Sequence, residues 1–416
     1  MRSLFNKDRR TNSYFLALDI GTEYVKALVC ESQESRGLVL GCGKKKQRLG
    51  EMQGGVVTDI AGVIENCKDA IKQAEKGSGI KVDQMVMGIA GELVKGATST
   101  TTYTRSDPNS KISFDELKNI IHKIQWKAFD QVRAQLAYET GHNEIDVKLV
   151  NAGIVDVRID GYKVSNPLGF QGKEVTMSIF NAFAPLVHFG ALQTIAAELD
   201  MDLLAIVAEP YAVARCLGQE DRSNFSAIFI DIGGGTTDIA LVRDGSVEGT
   251  KMFTLGGRTF TKRLSQSLNI SFDEAEEIKL AYAEDKLEKQ SYNIVREAMK
   301  SDCEVWLTGV SLTLSEFENI DSLPSRILLC GGGSHLPEIK EVLDTRNWIK
   351  SLPFSRKPQI NFLQPKHISN IIDMTNKLKD QQDVTPMALA NVALDLAGEE
   401  KILSRILRKV VRLLQV

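Results

Sequence analysis

Twice in this chain an apolar run ends in Asp-Ile-Gly and a second apolar run follows: YFLALDIGTEYVKALVC (14–30) and SAIFIDIGGGTTDIALV (226–242). Each reads as a buried strand, a tight turn and a return strand. A repeat of that grammar some 200 residues apart implies an internal duplication. The chain is therefore read as an α/β protein of two related lobes around a cleft.

The intervening sequence fits that reading. Residues 58–77 have helical spacing, with Thr58 or Asp59 as cap and Gly77 as stop. Residues 82–91 form a buried strand that runs into glycine. Residues 92–165 differ in texture: a polar stretch at 99–110, a helix at 113–129 with Ser113 and Glu116 at capping-box spacing, and strands at 145–150 and 153–159. They read as a small α+β insertion. A buried strand resumes at 172–183 and a helix follows at 184–199. Residues 205–218 join a strand end to a helix. Residues 259–320 are mostly helical and charged. SRILLCGGGSHLPEIKEVL (325–343) is strand, triple glycine and helix, and 382–398 is an apolar helix with Pro386 in its first turn.

The 416 residues carry a net charge of −3, which gives the body of the protein no nucleic-acid footprint. The six cysteines have no CxxC spacing and the five histidines are scattered, so neither disulfides nor a metal cluster is expected. Residues 1–13 are polar and have no apolar core typical of a secretory signal, and no run is long enough to span a bilayer. A cytoplasmic protein is expected.

In the two Asp-Ile-Gly turns a carboxylate stands at the mouth of a sheet. The hydroxyls and N–H groups of Thr22, Gly234, Gly235 and Thr236 are suited to cradle phosphate. Asp19 and Asp231 would repel phosphate unless a cation lay between, and Mg2+ held through water fits that place. Lys26, seven residues after Asp19, is placed to reach the same phosphates. The triple glycine Gly331, Gly332 and Gly333 permits close approach of a base or ribose. Neither GxGxxG nor a P-loop is present.

Residues 399–416 are basic and amphipathic. Lys401, Arg405, Arg408, Lys409 and Arg412 share one arc. Ile402, Leu403, Ile406, Leu407, Val410, Val411, Leu413 and Leu414 occupy the opposite face. Such a helix suits the plane of an anionic membrane. A C-terminal helix packed on the body is the plainer alternative.

Strand, Asp-Gly turn and strand appearing twice, followed by a GGG turn, resemble the actin/heat-shock-chaperone/sugar-kinase superfamily. Within it, the segments 54–75, 82–91, 166–180 and 256–279 and the tail resemble the FtsA family of bacterial cell-division proteins. The resemblance implies a two-lobed actin-like ATPase fold with duplicated mixed sheets. The first lobe would comprise 13–91 and 166–215, with an inserted subdomain at 92–165. The second lobe would comprise 216–258 and 322–398, with a helical subdomain at 259–321. Residues 399–416 would be a membrane-targeting helix, joined here without the long polar linker usual in the family.

The resemblance further implies ATP and Mg2+ as cofactors and at most slow ATPase activity. Glu209, in AEPYAVA (208–214), would stand near the attacking water, with Asp231 beside it. Gly21, Thr22, Lys26, Gly233, Gly234, Gly235, Thr236 and Thr237 would hold phosphates. Gly256 and Gly257 would approach them, and Glu276, Lys279 and Gly331–Gly333 would lie near adenosine. The implied partners are the C-terminal peptide of FtsZ, further copies of the chain in a filament, late division proteins and anionic lipids, at the cytoplasmic face of the inner membrane at the septum. The alternative is a PilM-like adaptor of type IV pilus assembly. A sugar kinase would need a catalytic base beside a substrate pocket, and no segment offers one.

Overall fold

A computed structural model of the chain describes residues 13–33, 36–91, 94–140, 147–217, 225–317, 320–345, 347–397 and Leu407. The first half contains β1 (Ser13–Ile20), β2 (Tyr24–Gln33), β3 (Arg36–Lys46), β4 (Met52–Gln53), β5 (Val56–Val57), α1 (Ile60–Ser78), β6 (Gln84–Ile89), β7 (Lys95–Thr104), α2 (Phe114–Thr140), β8 (Val147–Ile159), β9 (Tyr162–Lys163), β10 (Glu174–Pro185), α3 (Leu186–Glu198), β11 (Asp202–Ala208) and α4 (Glu209–Arg215). The second contains β12 (Ala227–Ile232), β13 (Thr237–Arg243), β14 (Ser246–Phe253), α5 (Gly257–Leu268), α6 (Phe272–Ala283), α7 (Lys289–Ser315), β15 (Arg326–Cys330), α8 (Pro337–Leu343), β16 (Gln359–Phe362), β17 (Ile371–Asp373) and α9 (Val384–Ala397).

The duplication is visible in the sheet orders. One sheet runs β11-β6-β1-β2-β3-β17, and the other contains β16-β15-β12-β13-β14. In each, three antiparallel strands are followed by two parallel ones on the side of the first strand. Both triplets begin with an Asp-Ile-Gly hairpin, and their buried residues are mostly apolar on both faces, as strands covered on both sides require. Each sheet then gains an edge from the other half of the chain. β17 pairs with β3, and β7 of the insertion pairs with β14.

The strand expected at 172–183 is β10, and its hydrogen-bonded partners are the strands of the insertion. β10 lies between β7 and β8, at the centre of the insertion's sheet. Its alternation explains this. Val175, Met177 and Ile179 face α2 in the insertion's own core, while Thr176 and Ser178 pair with Thr102 and Thr100 on the open face. Further along the same strand, Phe180, Ala182 and Ala184 join the core beneath the first sheet, so β10 spans both cores. α9 packs on β1, β2 and β6 of the first sheet. Met387, Leu389, Ala390 and Leu394 belong to a core that residues of both sheets share, since a helix apolar all round needs burial on several sides.

Helix ends follow local chemistry. Asp59, one of the two expected caps, accepts from Gly62 N at 3.2 Å and starts α1. The stop is Gly79 at φ +71°, two residues past the expected Gly77. Ser113 Oγ accepts from Glu116 N at 3.2 Å, as the capping spacing predicts. Glu116 does not complete the box, because its carboxylate forms a two-pronged pair with the buried Arg105 at 2.8 and 2.9 Å. None of the six cysteines forms a disulfide, and all but Cys42 are buried.

The amphipathic segment 399–416 lies outside the described residues, apart from Leu407. That side chain is 3% exposed and belongs to the insertion's core with Ile112, Leu117, Ile120 and Phe183. Among the described residues, no helix is long and apolar enough to cross a membrane.

Candidate functional site

Asp19 is the penultimate residue of β1. Gly21 N donates to the Tyr24 carbonyl at 3.1 Å and closes the turn, which sets Lys26 directly across from Asp19 in the β1–β2 register. The ammonium lies 3.9 Å from the carboxylate and donates to the Gln382 carbonyl. Burial raises the Asp19 pKa to about 6, against the pull of Lys26 and with help from Asp231 and Asp383.

The second hairpin uses the same geometry with different charge. Gly233 N donates to the Thr236 carbonyl at 2.9 Å, and Asp231 sits across from Asp238. Two buried carboxylates face each other where the first hairpin has an ion pair. Burial, then Asp231, raises Asp238 to about 8, although the Thr236 hydroxyl donates to it at 3.1 Å. Burial raises Asp231 too, while the hydroxyl of Thr385 donates to it.

The two turns meet. A β-carbon on Gly235 would lie 2.8 Å from the Thr22 hydroxyl, and one on Gly234 would lie 2.8 Å from the Glu23 β-carbon. Only glycine permits this approach. Arg258, in the first turn of α5, ties the turns together: its Nε lies 2.7 Å from Glu23 Oε2, and its backbone N donates to the Gly234 carbonyl at 2.7 Å.

The surrounding predicted residues take varied roles. Gly257 N donates to the Gly233 carbonyl at 2.9 Å, and a β-carbon on Gly256 would meet the same oxygen at 2.7 Å. Both glycines thus brace the second turn. Thr237 is fully buried. Its hydroxyl donates to Leu255 O and accepts from the Trp306 indole, so its observed bonds are structural rather than aimed at a phosphate. Glu276 and Lys279 are buried and paired at 2.8 Å, with Lys279 also donating to Thr261 and the Gly257 carbonyl.

The triple glycine follows β15, so it opens at the mouth of the same sheet. Gly331 has φ +79° and packs on Asp231, where a β-carbon would come within 2.2 Å of the carboxylate. Gly333 lies against Ile232, and Gly332 is open, with Gln382 Cβ at 3.9 Å as its nearest neighbour. Glu209 is the first residue of α4, against Gly88. Burial pushes its carboxyl well above the usual range, followed by the charges of Asp19, Asp238 and Asp231, with Lys26 opposing.

Sequence reasoning missed Asp238, the Glu23–Arg258 tie and the segment 380–385. That segment reaches the site from the start of α9. Gln382 accepts from Lys26 through its carbonyl and from Lys44 through its side chain at 2.8 Å. Asp380 pairs with His335 at 2.9 Å, and Gln381 O accepts from Gly331 N. The Asp380–Asp383 capping spacing was the available signal.

The result is a cluster of carboxylates, Asp19, Asp231, Asp238 and Glu209, with Lys26 as the nearby cation. Among the described residues, no three His, Cys, Asp or Glu side chains converge closely enough to hold a bare ion. The arrangement fits a hydrated cation and an anion between facing turns.

Comparison with known proteins agrees with this geometry. A family model described as "Cell division protein FtsA" matches residues 228–377, which include the second hairpin, the helical subdomain and the triple glycine. The cell division protein FtsA of Enterococcus hirae is 23% identical over 350 residues, covering 79% of this chain and 75% of that protein. FtsA of Bacillus subtilis strain 168 is 24% identical over 348 residues, covering 79% and 75%. FtsA of Neisseria meningitidis serogroup B is 28% identical over 274 residues, covering 65% and 61%. Among solved structures, the PilM–PilN type IV pilus biogenesis complex superposes with a TM-score of 0.62 at 17% identity, covering 94% of this chain and all of that one, a likeness of fold. The chain is thus similar to the FtsA cell-division proteins, on a two-lobed fold like that of the PilM–PilN structure.

Proposed function

We propose that this chain is an ATP-binding, filament-forming division protein that links the FtsZ polymer to the cytoplasmic face of the inner membrane and helps to recruit later division proteins. The observation that carries the nucleotide reading is the pair of facing Asp-Ile-Gly turns with a surplus of buried carboxylate. ATP with Mg2+ supplies what that cluster lacks. The cation, held through its waters by Asp19 and Asp231, relieves the carboxylates, and Lys26, Gly21, Thr22, Gly233, Gly234, Gly235 and Thr236 receive the phosphates. Gly331, Gly332 and Gly333 border the adenosine, with Glu276 and Lys279 behind Gly257. Hydrolysis is slow in this reading, since burial pushes the Glu209 carboxyl above its usual range and so disfavours the charged form that would act as base. Nucleotide acts mainly by favouring one relation of the lobes and so shifting polymerisation.

Partner docking has support on the helical subdomain. Ile294, Val305 and Leu312 of α7 are 49–61% exposed and recur near one helical face, joined by Leu280 of α6. An apolar stripe there suits the C-terminal peptide of FtsZ. For the membrane, the amphipathic tail is the support. Its Leu407 is buried against the insertion, so lipid insertion of that side chain requires release from this core.

The test is co-sedimentation of full-length chain with anionic vesicles and with neutral vesicles, with ATP or ADP, and with FtsZ. A chain ending at 398 serves as comparison. Tail-dependent pelleting that carries FtsZ supports the division reading. Pelleting lost only in neutral vesicles fits the basic face. Absence of any tail effect favours the second reading, a PilM-like adaptor that relies on a membrane partner, which the fold likeness to PilM supports.

A further inference from the structure

The second lobe's sheet has a second working end. β12, β15 and β16 are parallel, and the glycine turns lie at the C-terminal ends of β12 and β15. At the N-terminal ends lies a groove of about 830 Å3 lined by Phe225, Arg243, Leu323, Arg326, Ser325 and Arg356, with Asp244 at its border. That volume is within the ligand-site range of roughly 300–1,000 Å3. A strand of this length puts it about 16 Å from the turns.

Each arginine is held by one contact. Arg243, half-buried at the end of β13, donates through Nη2 to the Ser322 carbonyl at 2.9 Å. Arg356 donates through Nε to Ser325 Oγ at 2.6 Å. The Arg326 guanidinium lies 5.2 Å from the centre of the Phe225 ring. None of the three pairs with a described carboxylate, and among the described lining residues three cations stand with one acid, Asp244. Their remaining N–H groups form planar forks that match carboxylates in two-point contacts. Three backbone donors beside the groove are already used: Asp244 N on Ser226 Oγ, Gly245 N on Phe225 O and Leu323 N on Pro353 O. These three therefore add nothing to a backbone nest for a small inorganic anion. Phe225, Leu323 and Pro324 add an apolar floor.

We infer that this groove docks an acidic peptide segment of a partner protein, its carboxylates on Arg243, Arg326 and Arg356 and an apolar side chain on Phe225. The site is separate from the turns and from the α7 stripe, so it stands whether or not the nucleotide reading does.

The test is fluorescence anisotropy of the full-length chain with a fluorescein-labelled octapeptide of alternating Glu and Leu. Its Gln counterpart, a single-stranded oligonucleotide and the Arg326→Gln/Arg356→Gln double variant are measured beside it. Both changed arginines are exposed, and a matching thermal melt verifies folding. The expected results are saturable binding by the Glu peptide, about a tenfold or greater loss in the variant (about 1.4 kcal/mol), weakening in salt and no binding of the Gln peptide. Equal binding by the variant or by the Gln peptide overturns the inference, and so does tighter binding of the oligonucleotide. No peptide binding, with a change in sedimentation between wild type and variant, also overturns it and assigns the groove to contact between copies of the chain.

Discussion

The two hairpins share register and turn geometry, and they differ in charge at the residue across from the aspartate. Lys26 stands across from Asp19, whereas Asp238 stands across from Asp231. The first hairpin is close to neutral in itself. The second carries two acids in a buried place, and burial leaves one of them protonated near neutrality. A duplicated scaffold has thus become an asymmetric site, with its positive charge on one wall and its unmet demand for a cation on the other. Exchanging charges between the hairpins is the most direct way to break that comparison.

Lys26→Asp makes the first hairpin resemble the second. It removes the ammonium beside Asp19 and adds another buried acid to the cluster of Asp19, Asp231, Asp238 and Glu209. Removing one partner of a buried pair leaves an uncompensated charge, at a cost of about 3–5 kcal/mol. ATP binding measured by calorimetry should weaken at least about 100-fold, and the apo protein should melt at lower temperature. Affinity within threefold of wild type would mean that the asymmetry has no bearing on nucleotide.

Much of this scaffold was legible because it is local. An apolar run ending in Asp-Ile-Gly announces both strand and turn, and its repetition announces the second lobe. What the sequence hides is pairing partner and charge context. β10 alternates as any half-buried strand does, so nothing in its pattern says that it joins β7 and β8 rather than the first lobe. Thr237 looks like Thr236 in one dimension. One residue of advance along the strand turns its hydroxyl into the core beside Trp306. The segment 380–385 approaches Lys26 from more than 350 residues away, a contact that only the fold creates.

A second test acts on the acidic hairpin alone. The folded pKa of Asp238, about 8, lies above the ordinary value of 3.8. The folded state therefore binds the proton more tightly than the unfolded state. The stability this contributes is complete below the ordinary value and is lost as pH rises through about 8. Asp238→Asn fixes the neutral form and retains an acceptor for Thr236. In nucleotide-free protein, wild type should lose about 3 kcal/mol more than the variant between pH 5.5 and 8.5. Chemical unfolding at both pH values reads this directly. Parallel pH profiles would mean that Asp238 is ionised in the fold and that the two hairpins differ less than their registers imply.

The smallest effect sharpens how the unlike hairpins are held together. Glu23 of the first turn and Arg258 beside the second lie 2.7 Å apart, with 13% and 16% of their side chains exposed. Arg258 also donates to the Met52 carbonyl at 3.3 Å, and Lys46 lies 3.9 Å from Glu23. Each partner therefore retains a neighbour when the other is neutralised, which moderates the penalty. A double-mutant cycle of Glu23→Gln and Arg258→Gln should give a coupling of about 1 kcal/mol. Amide exchange at Thr22, Glu23, Gly234 and Gly235 should quicken in either single variant without global destabilisation. Zero coupling with unchanged exchange would leave the backbone bond from Arg258 N to the Gly234 carbonyl, together with the glycine contacts, to hold the turns. The ion pair would then adjust the surface of the cleft without governing its closure.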